Sequence, residues 1–275
     1  MNKGGISGTW ISRLISIFLI IVFLFPVVVS ITSSFMSPSE LSEVYNTKRM
    51  FRLIPDQVTV ENYYQLLFSS DQFLNMFWNS FFIALAITLS NSIVSLVMAY
   101  VFVKCRFKGR TFLLYLYTVI MLMPFQVTLL PNYLMSKTME IYNTWWALIL
   151  PATFSPLGTM ILYLFVLRID DDVLKAALLE TSSQWHIMIR VIIPLVHSGL
   201  VVVGILTFAE AWNMVEQPLI LLRDKWKYPL SLALNSIRDT SPEISFSGAV
   251  LYALPVILMY ALCKDELLDS LSINK

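Results

Sequence analysis

An all-α membrane protein with six transmembrane helices is the fold class this sequence predicts, and three observations predict it. Hydrophobic residues fill 57% of the 275 positions and charged residues only 13%, with a mean hydropathy of +0.71, well outside the usage of water-soluble domains. Six uncharged runs are each long enough to cross about 30 Å of hydrocarbon, which takes about 20 helical residues. None of them alternates polar and apolar positions as a barrel strand must, and lipid offers the backbone no hydrogen-bond partner, so each run has to satisfy its own amides as a helix.

The runs are Leu14–Ile31, Phe73–Val103, Thr111–Ser136, Ile141–Leu167, Val191–Ala209 and Ile244–Cys263. They place the spans at about 14–31, 75–103, 111–134, 143–167, 193–214 and 245–263 of a single membrane domain covering 1–275. The first follows Lys3 and Arg13 as a secretory signal would. Its length, Pro26 and the lack of an Ala-x-Ala cleavage site make it an uncleaved anchor instead. The polar connection from Thr32 to Gln72 contains "TVENYYQLL", in which Thr59 or Glu61 starts a short surface helix.

In the second run Thr88, Ser92, Ser95 and Ala99 share a helical face, and small side chains there favour close packing against another helix. After it, "KCRFKGR" carries Lys104, Arg106, Lys108 and Arg110 with no anion. A short basic loop stays cytoplasmic, which puts both termini and residues 168–192 on that side. Pro26, Pro124, Pro131, Pro151, Pro156 and Pro255 each remove a backbone donor within a run and predict bends. The pair Pro124 and Pro131 brackets Gln126 and Thr128 and marks a cavity lining.

Net charge is +1, so no overall field points to nucleic acid or to an acidic substrate. Cys105 and Cys263 are read as free thiols, and His186 and His197 stand without a cysteine or carboxylate pair, so no metal site is expected. A Gly-x4-Gly-Lys-Ser/Thr phosphate loop and a catalytic constellation are both missing, so this chain is expected not to be an enzyme. Glu210 ends the fifth run beside Trp212 and Asn213. A carboxylate in lipid costs roughly 2.5–3.5 kcal/mol, so Glu210 should face protein or water. Asn79, Gln126, Glu210 and Asn213 are the candidates for a substrate path, with Asn132, Tyr115 and Tyr117 as further hydrogen-bonding or stacking groups.

Residues 168–192 are a charged passage between two apolar spans. Asp170, Asp171 and Asp172 suit a helix N-terminus, whose free amides accept an aspartate cap. Val173, Ala176, Ala177 and Glu180 share a face of that helix. Thr181, Ser182 and Ser183 then break it and cap a second helix, with Trp185, Met188, Ile189 and Ile192 on one stripe. Pro194 suits the start of the next span.

This passage resembles the EAA loop of permease subunits in binding-protein-dependent ABC importers: Glu-Ala-Ala, three residues, glycine, and a helix ending in Leu/Ile-Pro. Lys175, Ala176 and Ala177 stand at the triplet, Glu180 and Thr181 at the Asp-Gly step, and Ile193 and Pro194 at the end. "LIPDQVTVENYYQLL" (53–67), "NSFFIALAITL" (79–89), "AYVFVKCRFKGR" (99–110), "MPFQVTLLPNYL" (123–134), "NTWWALILP" (143–151) and "AWNMVEQPLI" (211–220) follow in the order and spacing of the maltose-type second permease. The likeness runs from the first span to about Tyr260.

The resemblance implies a type I ABC importer permease in a bacterial plasma (inner) membrane. It implies a second permease subunit sharing the path, two cytoplasmic ATPase subunits using ATP and Mg, an extracellular or periplasmic solute-binding protein, and a sugar or oligosaccharide substrate. No cofactor is expected on this chain. It further implies ATPase coupling by Asp172, Lys175, Ala176, Ala177, Glu180, Thr181, Ser182 and Trp185. Lys175 reverses the charge of the family's glutamate, Thr181 replaces the turn glycine, and "KDELLDSLSINK" lacks the family's glycine-rich ending. Thr181 would be strained at positive φ, so the turn is expected to differ. An ion-coupled secondary carrier or channel, the alternative, would need intramembrane acids, and Glu210 alone is available. A membrane-embedded enzyme would need ionisable groups converging at one depth.

Overall fold

The computed structural model describes residues 5–46, 54–68, 71–234 and 242–272, which form helices and, among the described residues, no strand. The helices are α1 (Gly5–Ser34), α2 (Pro38–Asn46), α3 (Glu61–Phe68), α4 (Asp71–Lys104), α5 (Arg110–Met121), α6 (Phe125–Thr138), α7 (Trp146–Thr153) and α8 (Pro156–Leu167). After these come α9 (Asp171–Glu180), α10 (Gln184–Ile187), a π turn (Met188–Ile192), α11 (Ile193–Leu195), α12 (His197–Trp212), α13 (Glu216–Leu221) and α14 (Pro242–Ser272). Four stretches are long and apolar enough to span a bilayer, Ser12–Ser34, Gln72–Lys104, Trp146–Leu167 and Ile244–Leu267. Two more, Arg110–Met121 with Phe125–Thr138 and Gln184–Leu195 with His197–Trp212, are bent by 102° and 80°. Counting each bent pair as one span gives up to six among the described residues, the number that the apolar runs predict.

Proline accounts for two of the interruptions. Pro124 sits ahead of α6 at φ −58° and ψ 134°, an extended conformation that stops α5 from running on. Pro156 occupies the first turn of α8, and Ser155 before it is extended, so α7 ends at Thr153. The third break falls at Val196, two residues beyond Pro194, so α12 starts at His197.

Two compact units divide the chain. The first joins Met1–Leu74 with Ala233–Leu254. In it the end of α1 is tied to the α3 region: the buried Asn62 amide donates to the Met36 carbonyl at 2.7 Å, Tyr63 Oη bonds Ser34 Oγ at 2.7 Å, and the Thr59 amide donates to Phe35 O at 2.8 Å. The Glu61 amide donates to Thr59 Oγ1, so α3 begins where the sequence indicated. It buries Asn62 and Leu66 rather than lying wholly on the surface. Ser247 of α14 closes the arrangement by donating to Ser34 O.

The second unit, Asn75–Leu232 with Pro255–Lys275, is organised around α4. Thr88, Ser95 and Ala99 are buried on it, as the small-residue face predicts. Between them lies Asn91, fully buried, whose amide reaches the carbonyls of Ala152 (3.3 Å), Thr153 (3.1 Å) and Ser155 (3.4 Å). Ala152 is the residue four before Pro156, so its carbonyl is the one that proline leaves without a helical donor. The α7–α8 break is thus capped by α4, and Thr207 of α12 donates to the Oδ1 of the same Asn91 at 3.3 Å.

Gly158 shows how tight that junction is. A Cβ there would lie 2.6 Å from Asn91 Oδ1, 2.7 Å from Ser95 Oγ and 3.1 Å from Val203. Gly158→Val is therefore expected to push α8 off α4, at a cost of about 1–3 kcal/mol read as a lower melting temperature in detergent. At the other end of α4, Gly109 takes φ +87° as the N-cap of α5, turning the basic loop where a side chain would be strained.

Candidate functional site

Residues 168–195 form a helix, a turn and a second, irregular helix. Asp170 caps α9 by accepting the Asp172 amide at 3.1 Å, with Asp171 and Asp172 in the first turn as the acidic triplet predicts. Ser183 caps α10 by accepting from the His186 amide. Between them Thr181 is extended, at φ −149° and ψ 142°, and its Oγ1 accepts the Ser183 amide at 3.2 Å. The turn makes no use of positive φ, so a β-branched residue fits it without strain.

The mounting of this element is apolar. Leu174 of α9 and Ile187, Met188 and Ile192 are buried with Leu96, Ala99, Leu162 and Val166, and Ala177 packs on the same cluster. The stripe expected from Trp185, Met188, Ile189 and Ile192 is divided. Met188 and Ile192 turn into the core, while Trp185, 69% exposed, and Ile189 face outward. The π turn at Met188–Ile192 carries more residues per turn than an α-helix and rotates Ile192 away from Trp185.

Facing out from α9 are Leu178 and Leu179, the latter 90% exposed, beside Ala176 and Glu180. Lys175 is also exposed and pairs with Asp172 at 2.7 Å within the helix. That intrahelical pair takes up the charge that stands reversed at the first residue of the triplet, and an exposed pair of this kind contributes little to stability. Asp172, Ala176, Ser182 and Trp185 are likewise exposed, while Ala177 and Thr181 are half-buried.

Polar contacts hold the segment to α4. Lys104 Nζ donates to Asp171 Oδ1 at 2.7 Å and to the Ile169 carbonyl at 2.8 Å, and Tyr100 Oη donates to Gln184 Oε1 at 2.9 Å. The hydrogen bond from Lys104, then its charge, holds the Asp171 carboxyl below the usual aspartate value. A carboxyl lowered on folding adds its stability above the ordinary aspartate range and loses it as pH falls through the lowered value, so the contact is intact at neutral pH.

The second feature is a cavity of about 780 Å³, within the 300–1,000 Å³ usual for small-molecule sites. The α5–α6 bend contributes Gln126 and Asn132, the α7–α8 break contributes Pro151 and Ser155, α12 contributes Thr207 and Glu210, and the stretch into α13 contributes Asn213 and Glu216. Gln126, Glu210 and Asn213, far apart in sequence, are brought together on its wall. Asn79 is not among them: it is buried and donates to the carbonyls of Trp226 (2.6 Å) and Tyr228 (3.1 Å). Glu216, missed from sequence, accepts from Gln126 at 3.5 Å; the signal for it was an acid two residues before Pro218, at the start of a short helix. Tyr117 lies near the Phe154 carbonyl at 3.4 Å, and Tyr115 is exposed. Among the described residues that line the wall, Glu210 and Glu216 are the charged ones, and none is a cation.

Residues 91–264, well over half of the chain, match the family described as binding-protein-dependent transport system inner membrane component. The arabinooligosaccharides transport system permease protein AraQ of Halalkalibacterium halodurans is 24% identical over 271 residues, 97% of this chain and 95% of that protein. The sn-glycerol-3-phosphate transport system permease protein UgpE of Brucella abortus is 25% identical over 263 residues, 92% of each. A chain from the crystal structure of a bacterial ABC transporter involved in the import of the acidic polysaccharide alginate shares the fold. Its TM-score is 0.82 at 19% identity, over 96% of this chain and 98% of that one.

Proposed function

The chain belongs to the binding-protein-dependent transport system inner membrane component family, and we propose that it is one permease of an ATP-driven importer of a neutral sugar or oligosaccharide. As a multi-pass membrane component it would line the translocation path with a second permease. ATP and Mg would be used by two separate ATPase subunits, and substrate would arrive from an extracellular or periplasmic binding protein. Both termini and residues 168–192 would lie in the cytoplasm, on the side of the basic loop Lys104–Arg110.

One observation carries the reading. The helix-turn-helix is firmly rooted through Leu174, Ile187 and Ile192, yet it leaves Leu178, Leu179 and Trp185 uncovered at a polar, charged tip. Apolar side chains exposed on such a mount suit a protein partner. An ATPase seated there would shift the permease between inward- and outward-facing states, the loaded binding protein biasing the same equilibrium from the other side.

The cavity supports the substrate class. Amides and hydroxyls suit sugar hydroxyls, and two carboxylates, with no cation among the described lining residues, repel uronate or phosphate groups. Tagged chain purified from its own host should bring down an ATPase and a second permease. The reconstituted complex should take up neutral oligosaccharides in preference to oligouronates or glycerol phosphate. Purification of the chain alone, with transport that needs no ATP, would overturn the importer reading; preferred uptake of anionic solutes would overturn the substrate class.

A further inference from the structure

The importer reading leaves open which part of the membrane domain receives the stroke from the coupling segment. On that reading, we infer that Lys104 and Tyr100, on the last turn of α4, are positioning residues that latch α9 and α10 to this helix and make α4 the rod that carries the stroke toward the cavity.

Three observations support the latch. Both hinges of the segment are held by one helical turn, since residues four apart share a face. Lys104 bonds Asp171 and Ile169 at the joint entering α9, and Tyr100 bonds Gln184 at the joint entering α10. Lys104 is also the better covered partner: its side chain is 9% exposed against 76% for Asp171. Movement of α9 away from α4 has to break the two hydrogen bonds of this ammonium, one of them charge-assisted on both sides. Each charge also stands at the helix end that favours it, the cation at the C-terminus of α4 and the carboxylate in the first turn of α9.

The third observation is the stiffness of α4. It runs unbroken from Asp71 to Lys104 with no glycine or proline inside. The neighbouring spans of its unit are interrupted at Pro124, ahead of Pro156 and at Val196. A force applied at a broken helix is absorbed at the break, whereas an intact helix moves as one body. Along α4 the latch is followed by Ser95 and Asn91, which grip α8 and the α7–α8 break, and then by Ile87 on the cavity wall.

The test measures solute transported per ATP hydrolysed by the whole complex in proteoliposomes. Lys104→Met keeps the stem and removes the charge; Tyr100→Phe removes one hydroxyl. The double variant should lower the ratio about fivefold, the size of effect expected from loosening a coupling element. Lys104→Arg, which keeps the cation and its donors, should retain at least half of the parent ratio. An unchanged ratio in the double variant overturns the latch, as does a proportional fall in uptake and ATPase activity, which marks a merely structural role. Should Lys104→Met prevent assembly, Tyr100→Phe alone decides: a ratio lowered about twofold supports the inference and a parental ratio overturns it. An unmodified chain that recovers no ATPase sinks the importer reading, and the latch falls with it.

Discussion

Leu179→Asp is expected to abolish coupled uptake, lowering it at least about tenfold, while the permease inserts and melts as the parent does. The side chain is 90% exposed, so replacing it removes almost no packing from the folded chain. Surface changes of this kind usually shift stability by no more than about 0.5 kcal/mol. In a complex whose ATPase covers α9, the same carboxylate enters an apolar contact and has to be desolvated. Losses of about 2 kcal/mol or more are typical when the centre of an interface is disturbed. Two neighbours sharpen the result. Glu180→Arg, also exposed, should uncouple with little change in melting temperature. Ala177→Asp lies half-buried against the Leu174 cluster and should lower stability and coupling together. Co-purification of ATPase and its activity in the presence of loaded binding protein measure the effect. Full uptake by Leu179→Asp would mean that the exposed apolar tip is not the contact.

The features most legible in the sequence are those that the solvent enforces. A run with no charge has only one way to satisfy its backbone in lipid, so six spans follow from composition alone, and Pro124 marks its bend without further information. The acidic triplet at Asp170 predicts the start of α9 for an equally local reason. What stays hidden is set by partners far away in the chain. The bend at Val196 has no proline or glycine at the break itself. The π turn that rotates Ile192 away from Trp185 on the expected stripe leaves no mark on a pattern read at a period of 3.6. Side-chain amides show the same limit. Asn79 and Gln126 are equivalent as sequence signals, yet one holds the Trp226–Tyr228 backbone and the other lines the cavity. Lys104 reads as an orientation signal because the Ile169 carbonyl that it bonds lies 65 residues away, just past the end of α8. The signal for Asn91 was present in its place between Thr88 and Ser95, opposite a run carrying Pro151 and Pro156. A small-residue face followed by an amide is what a proline-freed carbonyl requires.

Asn91→Leu should damage the second unit severely, because one amide there serves three carbonyls and a hydroxyl. Leucine is close to asparagine in volume, so the packing around Gly158 is largely kept and the loss is one of hydrogen bonds. The carbonyls of Ala152, Thr153 and Ser155 then have no donor from α4, and in membrane proteins a single side-chain hydrogen bond is worth about 0.6 kcal/mol and at most about 1.7. With the Thr207 bond included, a loss of about 2–3 kcal/mol is expected, enough to lower both the yield of folded chain and its melting temperature in detergent. Asn91→Asp is the isosteric control and should be worse: it turns an acceptor oxygen toward three carbonyls and places a charge where no cation answers it. The damage should also reach transport, because Ala152, Ser155 and Thr207 line the cavity and are held in place by this one side chain. Folded Asn91→Leu recovered at reduced yield should therefore show a weakened apparent affinity for solute, with stimulated ATPase activity less affected. Parental stability in Asn91→Leu would show that the α7–α8 break is held by its own backbone and not by α4.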